Sequence, residues 1–266
     1  MITFPNAKIN LGLNVVSRRE DGYHNLETVF YPVELRDALE FVPAKKTALT
    51  ILGLPVDGDI ERNLVVRSFR LLQNEFQLPE LEIALLKHIP MGAGLGGGSS
   101  DAAFMLKSIN THFELHLSGV QLESYAAKLG ADCPFFIRNE PVFASGIGTE
   151  FTSIDLSLKG YYLVLIKPDI HVSTAEAYAQ VICQRWEIPL IEVIKMPLVK
   201  WEEFLVNDFE KSVFAAHSEL AILKEKLYEF GAIYASMSGS GSTLYGIFKE
   251  KPTVVFPGCQ VFWIDL

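Results

Sequence analysis

Apolar positions recur along this chain with two different periods, and the change from one to the other marks out its elements. From Ile9 to Val16 the sequence INLGLNVV alternates apolar residues with Asn and Gly, the pattern of a strand. RREDGYH at 18–24 is polar and punctuated by glycine, which predicts a loop, and LETVFYPVEL at 26–35 returns to strand chemistry. Between Asn63 and Phe76 the spacing lengthens. NLVVRSFRLLQNEF sets apolar residues at helical intervals behind an Asn that can cap, so a helix is expected there. LEIALLKHI at 81–89 predicts a strand that stops at Pro90.

The alternation of types continues downstream. SSDAAFMLKSINTHF, from Ser99, opens on residues that favour a cap and continues with strong helix formers. SGVQLESYAAKLG at 118–130 has a capping Ser118 and a terminal Gly130, so a second helix follows. PVFASGIGTEFTSI at 141–154 predicts strands around a glycine-rich turn. YYLVLIKP then begins a different order: strand, helix over Thr174–Trp186, helix over Glu219–Phe230, strand, strand. Strands and helices mix without regular βαβ alternation, which predicts an α+β fold. The change near residue 155 divides the chain into an expected N-terminal domain, 1–154, and a C-terminal domain, 155–266; neither repeats nor low-complexity segments interrupt them.

Composition narrows the function classes. The 266 residues are 49% hydrophobic and 21% charged, enough apolar chain for one large core or two modest ones. A formal charge of -9 opposes a general nucleic-acid binder, which needs a basic face against phosphates. It leaves open a phosphorylated small molecule, because a local pocket can be positive on an acidic protein. Cys133, Cys183 and Cys259 are far apart and form no CxxC, the usage of a reducing compartment. The N-terminal MITFPNAKINLGLNV lacks the marks of a secretory leader, and the longest apolar runs, such as YYLVLI at 161–166, are strand-length. A cytoplasmic protein without a membrane partner is expected, as monomer or homodimer.

The densest chemical signal lies at residues 90–101: Pro90, Met91, Gly92, Ala93, Gly94, Leu95, Gly96, Gly97, Gly98, Ser99, Ser100 and Asp101. Its glycines fall between a predicted strand and a predicted helix. Without side chains they allow the backbone to approach an anion and turn successive N–H groups toward it. The helix N-terminus adds about half a positive charge at the same place. Ser99 and Ser100 offer hydroxyl donors, or a ligand for magnesium carried by a nucleotide. An ordinary strand-to-helix turn needs about 2 to 6 residues and few glycines. Gly92, Gly94 and Gly97 match G-x-G-x-x-G, but the match comes late in the chain, and the segment holding Glu114 and Glu123 is helical in pattern where a dinucleotide fold wants a strand. No Lys-Ser/Thr follows the last glycine, so the P-loop pattern fails. The segment is a phosphate loop of another kind.

Three motifs give that kind a family. PNAKINLGLNVVSRREDGYHNLETVF (5–30), PMGAGLGGGSSDAA (90–103) and SMSGSGSTLYGIF (236–248) stand in the order seen in the GHMP kinases, the superfamily of galactokinase, homoserine kinase and mevalonate kinase, which the chain resembles over nearly its whole length. The resemblance implies two α+β domains, with ATP as its magnesium complex on the N-terminal one and an alcohol substrate in the cleft between them. Within the family, AKINLGL with DGYHNLETVF, and LGADCPFFI at 129–137, resemble the members that phosphorylate a cytidyl-methylerythritol. The third motif, Ser238-Gly-Ser-Gly-Ser242, is by resemblance a loop closing near the first, although alone it is an ordinary turn.

Site residues follow from motif and chemistry together. Asp132, between Gly130 and Pro134, is a turn or cap aspartate by spacing; its match to the family's catalytic segment makes it the expected base for the alcohol. Lys8 is by itself a surface lysine with an apolar stem, and the resemblance makes it the electrostatic partner of that base. Asn10, Tyr23 and His24 are implied around the cytidyl group, where an aromatic ring can stack on the base. Thr174 and Tyr178 lie four apart on one predicted helix face, with Tyr178 either core packing or a second wall opposite Tyr23. Asn63 is an N-cap, or by analogy a neighbour of adenine. His112 and His116 frame HFELH rather than HExxH, so no resident metal is expected. Rival readings are a kinase for mevalonate, homoserine or a sugar, which DGYH disfavours, and a non-catalytic nucleotide-binding module, which the presence of both Lys8 and Asp132 opposes.

Overall fold

Strand registers and helix caps are read here from a computed structural model that describes residues 1–56 and 58–266. The chain forms two compact units that interleave in sequence. One holds Met1–Ala7, Leu35–Met91 and Gly96–Glu140; the other holds Lys8–Glu34, Gly92–Leu95 and Pro141–Leu266.

In the first unit, strands β1 (Ile2–Thr3), β4 (Ala38–Ala44), β5 (Ala48–Gly53) and β6 (Glu80–Lys87) make a sheet of order β1-β4-β6-β5. Only the β5–β6 pair is parallel. In β6, Leu81, Ile83 and Leu85 point inward while Glu82 and Leu86 face out, the period-two consequence of covering one face. Helices α1 (Leu64–Phe76), α2 (Gly97–His112), α3 (Gly119–Ala127) and α4 (Cys133–Arg138) complete the unit. Val66, Phe69 and Leu72 of α1 and Met105, Leu106 and Ile109 of α2 are fully buried at the spacing of one helix face. Asn63 caps α1, accepting from the Val65 N–H at 2.9 Å, and Ser118 with Gln121 forms a reciprocal capping box on α3.

The second unit carries two sheets. The long strands β2 (Asn6–Arg18) and β3 (His24–Arg36) join β7 (Val142–Ser145) and β8 (Glu150–Ser153) in the order β2-β3-β7-β8. β9 (Tyr162–Pro168), β10 (Tyr234–Met237), β11 (Leu244–Phe248) and β12 (Cys259–Asp265) form an antiparallel sheet of order β10-β11-β9-β12. Leu163, Val164, Leu165 and Ile166 are all fully buried, because β9 is central and covered on both faces. Helices α5 (Thr174–Ala179), α6 (Leu190–Val193), α7 (Trp201–Phe204), α8 (Phe209–Ala216) and α9 (Ser218–Glu229) lie in the same unit. Phe209, Val213, Leu220 and Leu227 pack with Val164, Ile166, Met237 and Leu244 into one core.

The α+β class is as expected, and several elements depart from the pattern, among them α6, α7, α8 and β12, which the sequence pattern did not mark. α2 starts at Gly97, two residues before the expected Ser99, since Gly96 in the left-handed region already turns the chain into the helix. The helix expected over Thr174–Trp186 ends at Ala179, after which the Gln184 N–H pairs with the Val15 carbonyl at 3.0 Å, so the chain runs along β2 instead of turning. The apolar run CPFFIR is a short helix, α4, started by Pro134 and stopped by Asn139 at φ 57°. Among the described residues no helix is long and apolar enough to cross a membrane.

Leu106 sits in α2 with no exposed surface. Leu106→Ala removes its buried methyls and leaves a cavity, at an expected cost of about 2–5 kcal/mol. The check is urea unfolding, where the midpoint falls and the slope stays the same.

Candidate active site

Pro90 to Gly96 arch from the end of β6 to the start of α2. Gly96, at φ 71°, caps α2 with no side-chain hydrogen bond, so the N–H groups of the first turn are left to an incoming anion. Gly94 has φ 77°, and a Cβ there would stand 2.0 Å from the Ser238 carbonyl oxygen. No residue with a side chain fits. Ser238 Oγ donates to the Gly94 carbonyl at 2.8 Å and accepts from the Asn10 N–H at 3.2 Å, while the Thr243 N–H reaches the Ala93 carbonyl at 3.3 Å. The second glycine loop therefore grips Ala93 and Gly94 of the first, as the third motif led one to expect. Asn207 shapes that second loop, donating to the carbonyls of Met237 at 2.8 Å and Gly239 at 2.9 Å.

Lys8 lies on the polar face of β2. It is 3% exposed, so the surface reading that its sequence context allows does not apply. Its ammonium donates to Asn10 Oδ1 at 2.5 Å and to the Gly94 carbonyl at 3.1 Å, and stands 5.0 Å from the centre of the Phe30 ring. The Asn10 amide donates in turn to Thr28 Oγ1 at 2.9 Å, and Thr28 donates to the Gly12 carbonyl at 2.5 Å. Tyr245 holds the Asn10 carbonyl from the other side at 2.7 Å. This chain of bonds leaves Asn10 acting through Lys8, and it fixes a buried positive charge against the carbonyl of the glycine loop. Thr28 and Tyr245 carry no signal in the sequence, since threonine and tyrosine are ordinary strand residues.

Asp132 precedes α4 at φ -81° and ψ -16°, half-buried, and its carboxylate makes no capping bond to that helix. The cap position is occupied; the capping role is not. Burial pushes the neighbouring Cys133 thiol up to about 11, against a hydrogen bond with Ser99 that pulls it down. It is a thiol, not a thiolate, at neutral pH. His112 packs edge-on against Phe41, ring centres 5.4 Å apart, and among the described residues no group of His, Cys, Asp and Glu is placed to hold a metal.

The other expected residues fall in two places. Asn63 lies at the rim of a cavity of about 200 Å³ in the first unit, with Leu49, Ile51, Leu64, Leu85 and Met91 as apolar walls. In the second unit, His24 and Tyr178 stack with ring centres 4.7 Å apart and planes at 22°. Tyr178 also meets Phe209 edge-on at 4.7 Å, so it serves the core and presents a face at once. The ring against Tyr178 is that of His24; Tyr23 is 63% exposed at the tip of the β2–β3 turn, its N–H held by Asp21 at 3.1 Å. Thr174 opens α5 and is exposed, whereas Tyr178 is half-buried.

Sequence reading passed over a buried ionic cluster. The Lys87 ammonium bridges Asp37 and Asp101, meeting the latter at 2.7 Å, and the three side chains are 1%, 0% and 3% exposed. Burial pushes the Asp101 carboxyl up to about 7, against the pull of Lys87 and with a smaller push from Asp37. The signals were an aspartate in the strand-like LRDALE and a lysine in LLKHIP, each of which reads as a surface charge.

A glycine loop opening a helix, with a buried ammonium on its carbonyl, is machinery for holding and transferring a phosphoryl group. Residues 63–140 match the profile of the GHMP kinases N terminal domain and residues 197–255 that of the GHMP kinases C terminal domain. The chain belongs to the GHMP kinases, and is an ATP-dependent small-molecule kinase. Its relatives include the 4-diphosphocytidyl-2-C-methyl-D-erythritol kinase of Parabacteroides distasonis, 57% identical over 253 residues, 95% of this chain and 93% of that one. The enzyme of the same name from Bacteroides thetaiotaomicron is 58% identical over 258 residues, 96% of this chain and 94% of that one. A crystal structure of 4-(cytidine 5'-diphospho)-2C-methyl-D-erythritol kinase superposes with a TM-score of 0.78 at 32% identity, covering 93% of this chain and 90% of that one. The homoserine kinase of Cytophaga hutchinsonii shares the fold alone, at 16% identity and a TM-score of 0.61 over 98% of this chain and 94% of that one.

Gly94→Ala forces the loop away from Ser238 and misplaces its N–H groups. Turnover with ATP is expected to fall about 10²-fold while far-UV circular dichroism is unchanged. Undiminished turnover would show that the close approach has no part in catalysis.

Proposed function

We propose that this chain transfers the γ-phosphate of ATP to the 2-hydroxyl of 4-diphosphocytidyl-2-C-methyl-D-erythritol, a step in the non-mevalonate route to isoprenoid precursors. The relatives at 57% and 58% identity over nearly the whole chain support that substrate. The observation that carries the chemistry is the buried Lys8 ammonium fixed on the Gly94 carbonyl at 3.1 Å. A cation held there, with the glycine loop and the first turn of α2, offsets the charge that spreads over the moving phosphoryl group.

The alcohol oxygen attacks the γ-phosphorus, the bond to the bridging oxygen of ADP breaks, and the alcohol proton passes to Asp132. That aspartate's carboxylate is not engaged in capping α4, which suits a base better than a structural cap. Lys8 favours the ionised alcohol electrostatically, and Asn10 keeps Lys8 in place. ATP enters as its magnesium complex, for which Ser99 and Ser100 are the hydroxyls of the loop; Ser100 Oγ is buried with no hydrogen-bond partner, an unspent oxygen that suits such a role. The apolar cavity with Asn63 at its rim takes the adenine ring. On the acceptor side, the His24–Tyr178 stack offers a π face to cytosine, Tyr23 is exposed beside it in sequence to cover the base, and Thr174 supplies a hydroxyl. The cysteines are unpaired, as a cytoplasmic enzyme's would be.

A coupled ADP-release assay with Mg-ATP tests this reading, presenting the cytidyl substrate beside mevalonate, homoserine and galactose. Turnover on the cytidyl compound alone is expected. Release of ADP with a different alcohol would overturn the substrate and keep the kinase.

Lys8→Met and Asp132→Asn are each expected to lower kcat by about 10²- to 10⁴-fold with little change in thermal midpoint. Steady-state kinetics beside thermal melts provide the check, and near-normal kcat in either variant would remove its role. Tyr178→Ala is expected to raise KM for the cytidyl substrate and leave KM for ATP as it was; an unchanged cytidyl KM would take Tyr178 out of the pocket.

A further inference from the structure

Lys87 and Asp101 form part of the wall of the cavity proposed for adenine, and both feet of the glycine loop are tied to their cluster. Lys87 is the last residue of β6, and the chain leaves it for the loop through His88 and Ile89. Asp37 Oδ1 accepts the N–H of His88 at 2.5 Å and of Ile89 at 2.8 Å, while Asp37 Oδ2 holds the Lys87 ammonium. The same ammonium donates to Asp101 Oδ2 in the early part of α2, at 2.7 Å. One cation and two carboxylates thus connect the strand foot of the loop to its helix foot. The feet also touch directly: a Cβ on Gly97 would stand 2.9 Å from Ile89 Cγ2 and 3.4 Å from Lys87 Nζ.

We infer that Lys87 is a positioning residue for phosphoryl transfer: through Asp37 and Asp101 it sets the spacing of the loop's two feet, and with it the aim of the first N–H groups of α2 at the nucleotide's phosphates. The inference rests on the kinase reading of that loop. Stability alone is a poor account of the cluster. Stripping water from three charges costs several kcal/mol per ion, and well-packed apolar residues hold a core as well or better. Asp101 Oδ1 lacks a hydrogen-bond partner altogether, a cost an apolar side chain would not carry. What a directional ion cluster supplies, and an apolar contact does not, is one fixed register between strand end and helix start. A helix that shifts by about 1 Å at its N-terminus can lose about 10²-fold in rate, because its dipole and N–H groups act only at short range.

The test is direct binding of Mg-AMP-PNP, by calorimetry, to the wild-type chain and to Lys87→Met, Asp101→Ala and Asp101→Asn. Urea unfolding and steady-state kinetics run in parallel. Lys87→Met and Asp101→Ala are expected to raise Kd for Mg-AMP-PNP, and KM for ATP, by about 10- to 100-fold. KM for the cytidyl alcohol is expected to stay within about twofold. Asp101→Asn keeps an oxygen for the ammonium and is expected to recover most of the nucleotide affinity. Lower stability with wild-type nucleotide affinity would overturn the inference and leave the cluster purely structural. Should Lys87→Met not fold, the contrast between Asp101→Ala and Asp101→Asn decides alone: equal affinities overturn it. A wild-type chain that does not bind Mg-AMP-PNP overturns the kinase reading, and the inference with it.

Discussion

The Gly94 backbone comes so near the Ser238 carbonyl that no side chain can intervene, and the network of contacts in the second unit is built on that approach. Because Gly94 lies there, its carbonyl can accept from both Ser238 Oγ and Lys8 Nζ. Because Ser238 lies there, its oxygen also receives the Asn10 N–H, which keeps β2 in register with the second glycine loop. Asn207 holds the second loop by two carbonyls, and Asn10 holds the lysine. Each group in this network is oriented by a neighbour whose own position is already fixed. A site made this way loses little to reorganisation when charge develops in it.

Two buried lysines show how the same side chain serves different ends. Lys8 has an amide oxygen, a carbonyl and an aromatic face around it, each of which stabilises an ammonium held against the glycine loop. Lys87 is set between two carboxylates that more than balance it. Its field is spent locally, and what survives is geometry. The burial of Asp101 beside Asp37 also explains why its carboxyl is pushed up, since a second negative charge in the same dry space is costly even with a cation present.

Much of this was legible in the sequence, and the remainder was hidden for identifiable reasons. The glycine loop, the strand before it and the helix after it announce themselves by composition, because few other structures need five glycines so close together. The α+β class followed from the periods alone. β2 shows where such reading stops. Its alternating Lys8, Asn10, Gly12 and Asn14 have the pattern of a solvent-facing edge, whereas Lys8, Asn10 and Asn14 are at most 5% exposed. Period two separates the faces of a strand but does not say what lies against the polar one. The helix predicted to run to Trp186 failed for a similar cause, as pairing of Gln184 with Val15 outweighed local propensity. Asp37 and Lys87 were unreadable because their meaning is a contact across fifty residues of chain, |i−j| = 50.

The placement of Tyr178 shows how core packing and ring stacking coexist at one residue. Core packing and ligand stacking compete for a ring only if they need the same face. Here the edge-on contact with Phe209 and the near-parallel contact with His24 use different parts of the ring. The quadrupole of an aromatic ring favours both geometries. Anchoring against the core also costs the ring its rotamer freedom before any ligand arrives, which lowers the entropic cost of stacking on a base. A half-buried aromatic at the first helix after β9 is thus better suited to hold a nucleobase than a fully exposed one such as Tyr23. Tyr23, exposed at the tip of its turn, suits the complementary task of covering such a base.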